Sequence, residues 1–346
     1  VAHSVRVKKA ENFDGYSYEL VAKKNVIFMI GDGMGFQHLQ VGEAYAGKTL
    51  FMRSLSLCGQ SRTDSRTLFA PTDSAAGGTA LSTGKKTQNG KIAMLDKENV
   101  ENMAEYAKKL GKAVGIISTE TMTGATPASF SAHALSRSLT DEIFASQMAS
   151  GIDLFICGGR SEVETRATQI TSAGYTLVTA YSDLETYETS EKLLATFTEI
   201  SVGESTEETP TLDELVGFAT AYLSQKSENG FFLMVEGSYI DKKSHNNEII
   251  PMAQQLVAFD KAVERAYNDN KNDTCIIVTA DHETGNLQYD GESKNELADS
   301  MYRQGGHSHA DVPYFVYGIQ NADIPEVVEN VRLSLLARQI MQRQNQ

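Results

Sequence analysis

Carboxylates and imidazoles recur at short spacing in four segments of this 346-residue chain. Asp32 lies inside Gly31-Asp32-Gly33-Met34-Gly35. Glu236-Gly237 precedes Asp241-Lys242-Lys243-Ser244-His245, Asp281-His282-Glu283 follows an apolar run, and His307 and His309 flank Ser308. Asp241 and His245 stand four residues apart, which sets both side chains on one face of a helical turn and suits joint capture of a metal ion. Four of the seven histidines, His245, His282, His307 and His309, crowd into three of these segments. A mixed set of His, Asp and Glu suits zinc, and an all-oxygen subset suits magnesium.

A candidate nucleophile stands apart from these groups. Ser74 sits in Pro71-Thr72-Asp73-Ser74-Ala75-Ala76-Gly77-Gly78-Thr79-Ala80. The small residues after it fit a helix start whose N–H groups face an anion. Metal coordination would make its hydroxyl nucleophilic, whereas an N-cap serine would occupy the same place for structural reasons alone. Two phosphate-loop look-alikes fail on spacing. Gly31–Gly35 reads GxGxG instead of GxGxxG, and Gly84-Lys85-Lys86-Thr87 has no Ser or Thr directly after Lys85.

The elements that must position these groups are legible as apolar runs. Asn25–Ile30, Ala113–Ser118, Ile152–Cys157, Phe231–Val235 and Cys275–Thr279 lack polar alternation, as strands of a parallel sheet covered on both faces do. Val100–Leu110, Thr211–Ser224 and Ile250–Tyr267 have helical spacing, and Val312–Tyr317 reads as a late strand. Alternating strands and helices predict an α/β fold: a mostly parallel central sheet with helices on both faces. Ligands of such sheets collect beyond the carboxyl ends of the strands, where the carboxylates and imidazoles fall. Ser201–Pro210, acidic and Thr-rich, is expected to be a solvated loop. One domain is expected over residues 1–346, with Val1–Lys24 as an N-terminal arm.

Composition narrows the function classes. A net charge of −14 argues against binding a nucleic-acid backbone, so no nucleic-acid module is expected. No run approaches the roughly 18 apolar residues of a membrane span, and residues 1–24 contain no signal-peptide core. Cys58, Cys157 and Cys275 form neither a disulfide framework nor a CxxC pair, and are expected to be buried small hydrophobes.

Together the segments resemble the alkaline phosphatases, metal-dependent phosphomonoesterases. The matching stretches are Ile30–Gly35 (IGDGMG), Thr72–Gly84 (TDSAAGGTALSTG), Ala125–Phe130 (ATPASF) with Ala132-His133 and Ser136-Arg137, Val235-Glu236-Gly237 with Ile240–His245 (IDKKSH), Thr279–His282 (TADH), and His307 with the strand ending at Tyr317-Gly318. Six stretches in the family's order make the resemblance specific. It implies the alkaline phosphatase-like three-layer fold and hydrolysis of small phosphomonoesters at alkaline pH through a phosphoserine on Ser74. It further implies one zinc on Asp241, His245 and His307, a second on Asp32, Asp281 and His282, and a magnesium on Asp32, Thr126 and Glu236. Arg137 would clamp the phosphate, and Lys242 resembles a lysine that some members place near it. An exported chain, periplasmic or extracellular, and a homodimer are implied in the same way. Gly124 departs from the pattern: the family usually carries aspartate or histidine there, so the third metal's identity and occupancy stay open and weaker magnesium binding is expected. His309 fits a spare or supporting histidine better than a ligand. A phosphodiesterase or phosphomutase on the same scaffold, or a catalytically silent zinc or phosphate binder, are the competing readings.

Overall fold

The computed structural model describes residues 17–22, 24–185, 192–291 and 293–344. Ten strands form one sheet: β1 (Asn25–Gly31), β2 (Leu57–Arg62), β3 (Ala113–Ser118), β4 (Leu154–Cys157), β5 (Tyr175–Val178), β6 (Lys192–Thr196), β7 (Phe231–Gly237), β8 (Thr274–Thr279), β9 (Val312–Tyr317) and β10 (Val327–Glu329). Their spatial order is β10-β2-β9-β8-β1-β7-β3-β4-β6-β5. Every neighbouring pair is parallel except the two made by β9, which alone runs backwards. The helices used below are α1 (Phe36–Ala46), α2 (Ser74–Thr83), α3 (Met103–Lys109), α4 (Ala125–Ser131), α5 (Leu212–Lys226), α6 (Tyr239–His245), α7 (Ile249–Asn270) and α8 (Asn330–Gln344).

The sheet's two faces follow from the period of two along each strand. In β1, Ile27 and Met29 turn to one side, where they join apolar residues of α1, α5 and α7. Val26, Phe28 and Ile30 turn to the other, against α2, α3, α4 and α8. All seven β1 residues are buried, and so are all seven of β7. The expected α/β class with a mostly parallel, doubly covered sheet is therefore the observed one. Strand β9 is the exception, and strands β2, β5, β6 and β10 carry too few apolar residues to stand out in sequence.

Local chemistry sets the helix boundaries. The Asn102 side chain accepts from the Glu105 amide at 3.0 Å while the Glu105 carboxylate accepts from the Asn102 amide at 2.9 Å. This reciprocal cap starts α3 at Met103, three residues later than the expected start at Val100. At the start of α5 the Glu214 carboxylate accepts from the Thr211 amide at 3.0 Å and from the Thr211 hydroxyl at 2.9 Å. Val202–Glu208 is exposed loop, as expected.

One expectation needs correction. Cys58 is exposed, because alternation along β2 turns it outward beside buried Leu57; Cys157 and Cys275 are buried. Of the expected arm, residues 1–16 and 23 lie outside the described residues. Glu19–Leu20, by contrast, pairs with Ile319–Gln320 of the same chain, and Tyr18 and Ala22 join the core.

Phe130 of α4 bridges Phe28 and Phe232, with ring centroids 5.7 and 6.4 Å away, and thereby ties α4 to β1 and β7 beneath the strand ends. Phe130→Ala should lower stability by about 3–5 kcal/mol through loss of buried area and a residual cavity. A urea midpoint indistinguishable from the parent's would contradict that.

Candidate active site

The parallel register brings the chemistry-bearing residues to one edge. Glu236 lies opposite both Ile30 and Ser118, and Thr279 lies opposite Ile30. Asp32, Glu236, Asp281 and His282 therefore emerge side by side. β9 is reversed, so its beginning reaches the same edge and delivers His307, which pairs with Thr284 in a short antiparallel ladder. Asp241 and His245 come from α6, directly after β7.

Gly33 shapes this edge. Its φ of +72° favours glycine, and an added Cβ would stand 2.8 Å from Thr284 Oγ1 and 3.0 Å from Asp241 Cα. Gly77 lets α2 approach equally closely, since a Cβ there would lie 2.6 Å from the Asp281 carbonyl oxygen. Ser74 is the first residue of α2, and Asp73 is its N-cap, accepting from the Ala76 amide at 2.9 Å. The Ser74 hydroxyl is thereby free of the capping task and lies 3.1 Å from His282 Nε2.

The same nitrogen faces Asp32 Oδ1 at 3.4 Å and Asp281 Oδ2 at 3.5 Å. Both oxygens are buried and have no hydrogen-bond partner, although the second oxygen of each carboxylate is held. Thr126 Oγ1 donates to Asp32 Oδ2 at 3.4 Å, and the Gly33 and His282 amides donate to Asp281 Oδ1 at 3.2 and 3.1 Å. Glu236 repeats the pattern: Ser118 donates to Oε2, and Oε1 is buried without a partner.

A second group adjoins the first. His245 Nε2 lies 3.3 Å from Asp241 Oδ2 and 3.1 Å from His307 Nε2, which is 3.6 Å from Asp241 Oδ1. Ligands around a tetrahedral zinc with bonds of about 2.0–2.1 Å stand roughly 3.3–3.4 Å apart, close to these distances, and two triads, Asp241-His282-His307 and Asp32-Asp281-His282, cluster tightly enough to hold a metal ion. The imidazoles are also presented correctly. Nδ1 of His245 and of His307 faces a backbone carbonyl, Gly305 at 2.5 Å and Thr72 at 2.8 Å, and Nδ1 of His282 lies 3.2 Å from Thr284 Oγ1. With Nδ1–H donating, each ring turns an unprotonated Nε2 inward.

Electrostatics favour a positive charge beside these acids. Burial, and then the neighbouring Asp281, Asp241 and Glu236, hold the Asp32 carboxyl well above the usual range. Burial followed by Asp241 pushes Asp281 up to about 7, and burial followed by Glu120 pushes Glu236 up to about 8. Burial also pushes Asp241 up, but the His245 hydrogen bond and nearby imidazole charge outweigh it and hold that carboxyl low. Burial, then His307, keeps His282 well below the ordinary histidine range. Orphaned oxygens, inward-facing imidazoles and mutually repelling carboxylates all fit a cation-binding site.

Asp32, Ser74, Thr126, Asp241, His245, Asp281, His282 and His307 meet at this edge, and Glu236 emerges beside them. Arg137, half exposed, donates to Asp73 Oδ2 at 3.3 Å, and Lys242 pairs with Glu120. His309 lies outside the cluster, exposed and 3.6 Å from Asp64. Sequence reasoning passed over Thr284, which donates to Asp241, and over Glu120. Glu120 was within reach of the same rule, because it lies two residues beyond β3 at the edge where the other acids were found.

The alkaline phosphatase family model matches residues 23–331. The chain belongs to the alkaline phosphatase family. Alkaline phosphatase 4 of Bacillus subtilis is 34% identical over 288 residues, covering 76% of this chain and 62% of that protein. The alkaline phosphatase of Schizosaccharomyces pombe is 33% identical over 300 residues, covering 76% and 56%. The chain thus matches about three-fifths of the length of these curated relatives. Among solved structures, the alkaline phosphatase of the Antarctic bacterium TAB5 superposes with a TM-score of 0.78 at 28% identity, covering 94% of this chain and 99% of that one. A mutant of the TAB5 alkaline phosphatase has Mg bound in its M3 site and superposes equally well, with a TM-score of 0.78 at 28% identity.

The raised carboxyls make the stability of this family member depend on pH in its metal-free form. Asp281 and Glu236 keep protons in the fold up to about pH 7 and 8, whereas unfolded Asp and Glu release theirs near pH 4. Above about pH 7, where the unfolded histidines have also released their protons, the fold binds more protons than the unfolded chain, so stability falls as pH rises. Chelated protein should melt at progressively lower temperature from about pH 7 to pH 8, and Glu236→Gln should flatten the decline. Thermal scans across pH check this; a melting temperature that rises over the window would overturn it.

Proposed function

We propose that the chain hydrolyses small phosphate monoesters to alcohol and inorganic phosphate through a covalent phosphoserine on Ser74, with an alkaline optimum. The observation that carries this reading is the position of the Ser74 hydroxyl, at the start of a buried helix and 3.1 Å from a His282 nitrogen that also faces two unpartnered carboxylate oxygens. That arrangement matches a nucleophile and cation cluster better than a helix cap, a task Asp73 performs.

In this reading Asp241, His245 and His307 hold one zinc, Asp32, Asp281 and His282 hold a second, and Asp32, Thr126 and Glu236 hold a magnesium. When bound, such ions lower the pKa of a coordinated hydroxyl or water and neutralise charge on a transferring phosphoryl group. The magnesium in the TAB5 mutant's M3 site supports the third assignment. The remaining steps belong to the chain. Ser74 Oγ attacks phosphorus, the ester oxygen departs and takes up a proton, and water then cleaves the phosphoserine to release phosphate and restore the hydroxyl. The N-terminal amides of α2 present positive dipole to the anion. Arg137 offers its planar fork to two phosphate oxygens, held over the site by Asp73. A grip on two oxygens favours a terminal monoester over a diester. Lys242 adds a point charge at the rim. An exported homodimer is part of the same proposal, by family resemblance. No helix among the described residues is long and apolar enough to cross a membrane.

The test is hydrolysis of p-nitrophenyl phosphate beside its bis-ester at alkaline pH, before and after metal removal and restoration with zinc and magnesium. Monoester turnover should vanish with the metal and return with it. Ser74→Ala should lower kcat by at least about 10³-fold while zinc content stays at the parent level. Parent-level turnover in that variant would remove Ser74 from its role, and preference for the bis-ester would overturn the substrate class.

A further inference from the structure

We infer that Glu120 supplies the carboxylate that completes the all-oxygen cation site around Glu236, occupying the space that Gly124 leaves open and held there by Lys242. The inference rests on the third-cation reading above and names a ligand-side residue which that reading lacks.

Gly124 gives the first argument. It precedes α4 with φ −53° and ψ 152°, angles open to any residue, so its backbone does not explain the glycine. Space does. A Cβ on Gly124 would stand 2.4 Å from Glu120 Oε1, 2.6 Å from Cδ and 3.0 Å from Cγ. The carboxyl group of Glu120 fills the volume where a side chain at 124 would begin.

Connectivity gives the second. The Glu120 amide donates to Ser118 Oγ at 3.1 Å, and that hydroxyl donates to Glu236 Oε2. One hydroxyl thus links the two acidic residues and leaves Glu236 Oε1, buried and without a partner, facing elsewhere. Among neighbouring charges, Glu120 acts on Glu236 more strongly than Asp281 does. A cation beside both carboxylates would relieve the repulsion between them. Lys242 meets part of the demand by pairing with Glu120, but it is itself 41% exposed and leaves Glu236 Oε1 without a donor. Asp32, Thr126, Glu236 and Glu120 offer oxygen alone, the donor set of a hard cation such as magnesium.

This picture makes a signed prediction that a purely structural Glu120–Lys242 pair does not. If Glu120 faces the cation, Lys242 competes with that cation for the carboxylate. Removing the lysine then tightens binding, and neutralising the glutamate loosens it.

Zinc-loaded protein would be titrated with magnesium alone by calorimetry, with zinc content and far-UV circular dichroism recorded for each variant. Glu120→Gln should raise the magnesium Kd by about 10–100-fold with zinc content unchanged, and Lys242→Met should lower it several-fold. The double variant Glu120→Ala with Gly124→Asp should recover most of the lost affinity, because a carboxylate returns to the same volume from the other side. If Glu120→Gln binds magnesium like the parent while Glu236→Gln does not bind it, the role of Glu120 is overturned and the third site stands. If neither substitution alters binding, or the parent takes up no magnesium, the third-cation reading falls and this inference falls with it. Weaker binding in Lys242→Met would show that Glu120 serves only to anchor the lysine, and would also overturn the proposal.

Discussion

Repulsion between buried carboxylates is the constraint on which the rest of this molecule turns. Asp32, Glu236, Asp241 and Asp281 are each less than a tenth exposed, and the sheet register forces them together. Close like charges in a poorly solvated interior are costly at any realistic dielectric. The surrounding fold distributes that cost: one oxygen of each acid receives a hydroxyl or an amide, and Nδ1 of each inward-facing imidazole is anchored on a backbone carbonyl or a hydroxyl. What remains unmet is directional, a set of lone pairs aimed at common points.

The scaffold explains why such a cluster is tolerable. The apolar layers on both sides of the sheet stabilise the strands through burial that does not depend on the strand ends. Local backbone demands are met by a few residues whose small size is essential, Gly33 and Gly77 above all, because they let a turn and a helix approach the acids more closely than any side chain would allow. Asp73 takes over the capping of α2 and leaves the hydroxyl beside it available. Stability and chemistry are thus assigned to separate parts of the chain.

Much of this was legible in the amino-acid sequence. Continuous apolar runs located the central strands, since burial on both faces removes polar alternation, and the acids and histidines beyond them located the edge. The weaker strands were hidden for physical reasons. β2 (LCGQSR) has one open face and a glycine, while β5 and β10 are short edge strands supported by their neighbours. The reversal of β9 could not be read from composition, because Val312–Tyr317 looks like any parallel strand. Glu120 was readable from its place two residues beyond β3, but its meeting with Gly124 is spatial and exists only in the fold.

The central position of β1 has a consequence for how the molecule is made. Asn25 contacts Phe231 across 206 residues and Thr274 across 249. At synthesis rates of about 5–20 residues per second, β1 leaves the ribosome roughly 10–50 seconds before the strands that flank it. Throughout that interval both of its hydrogen-bonding edges lack their final partners, a state prone to mispairing and aggregation. Ser74 and His282, 208 residues apart, meet only after that wait ends, so an incomplete chain has the serine without its histidine. Assembly of the sheet is thereby the gate through which chemical competence is reached.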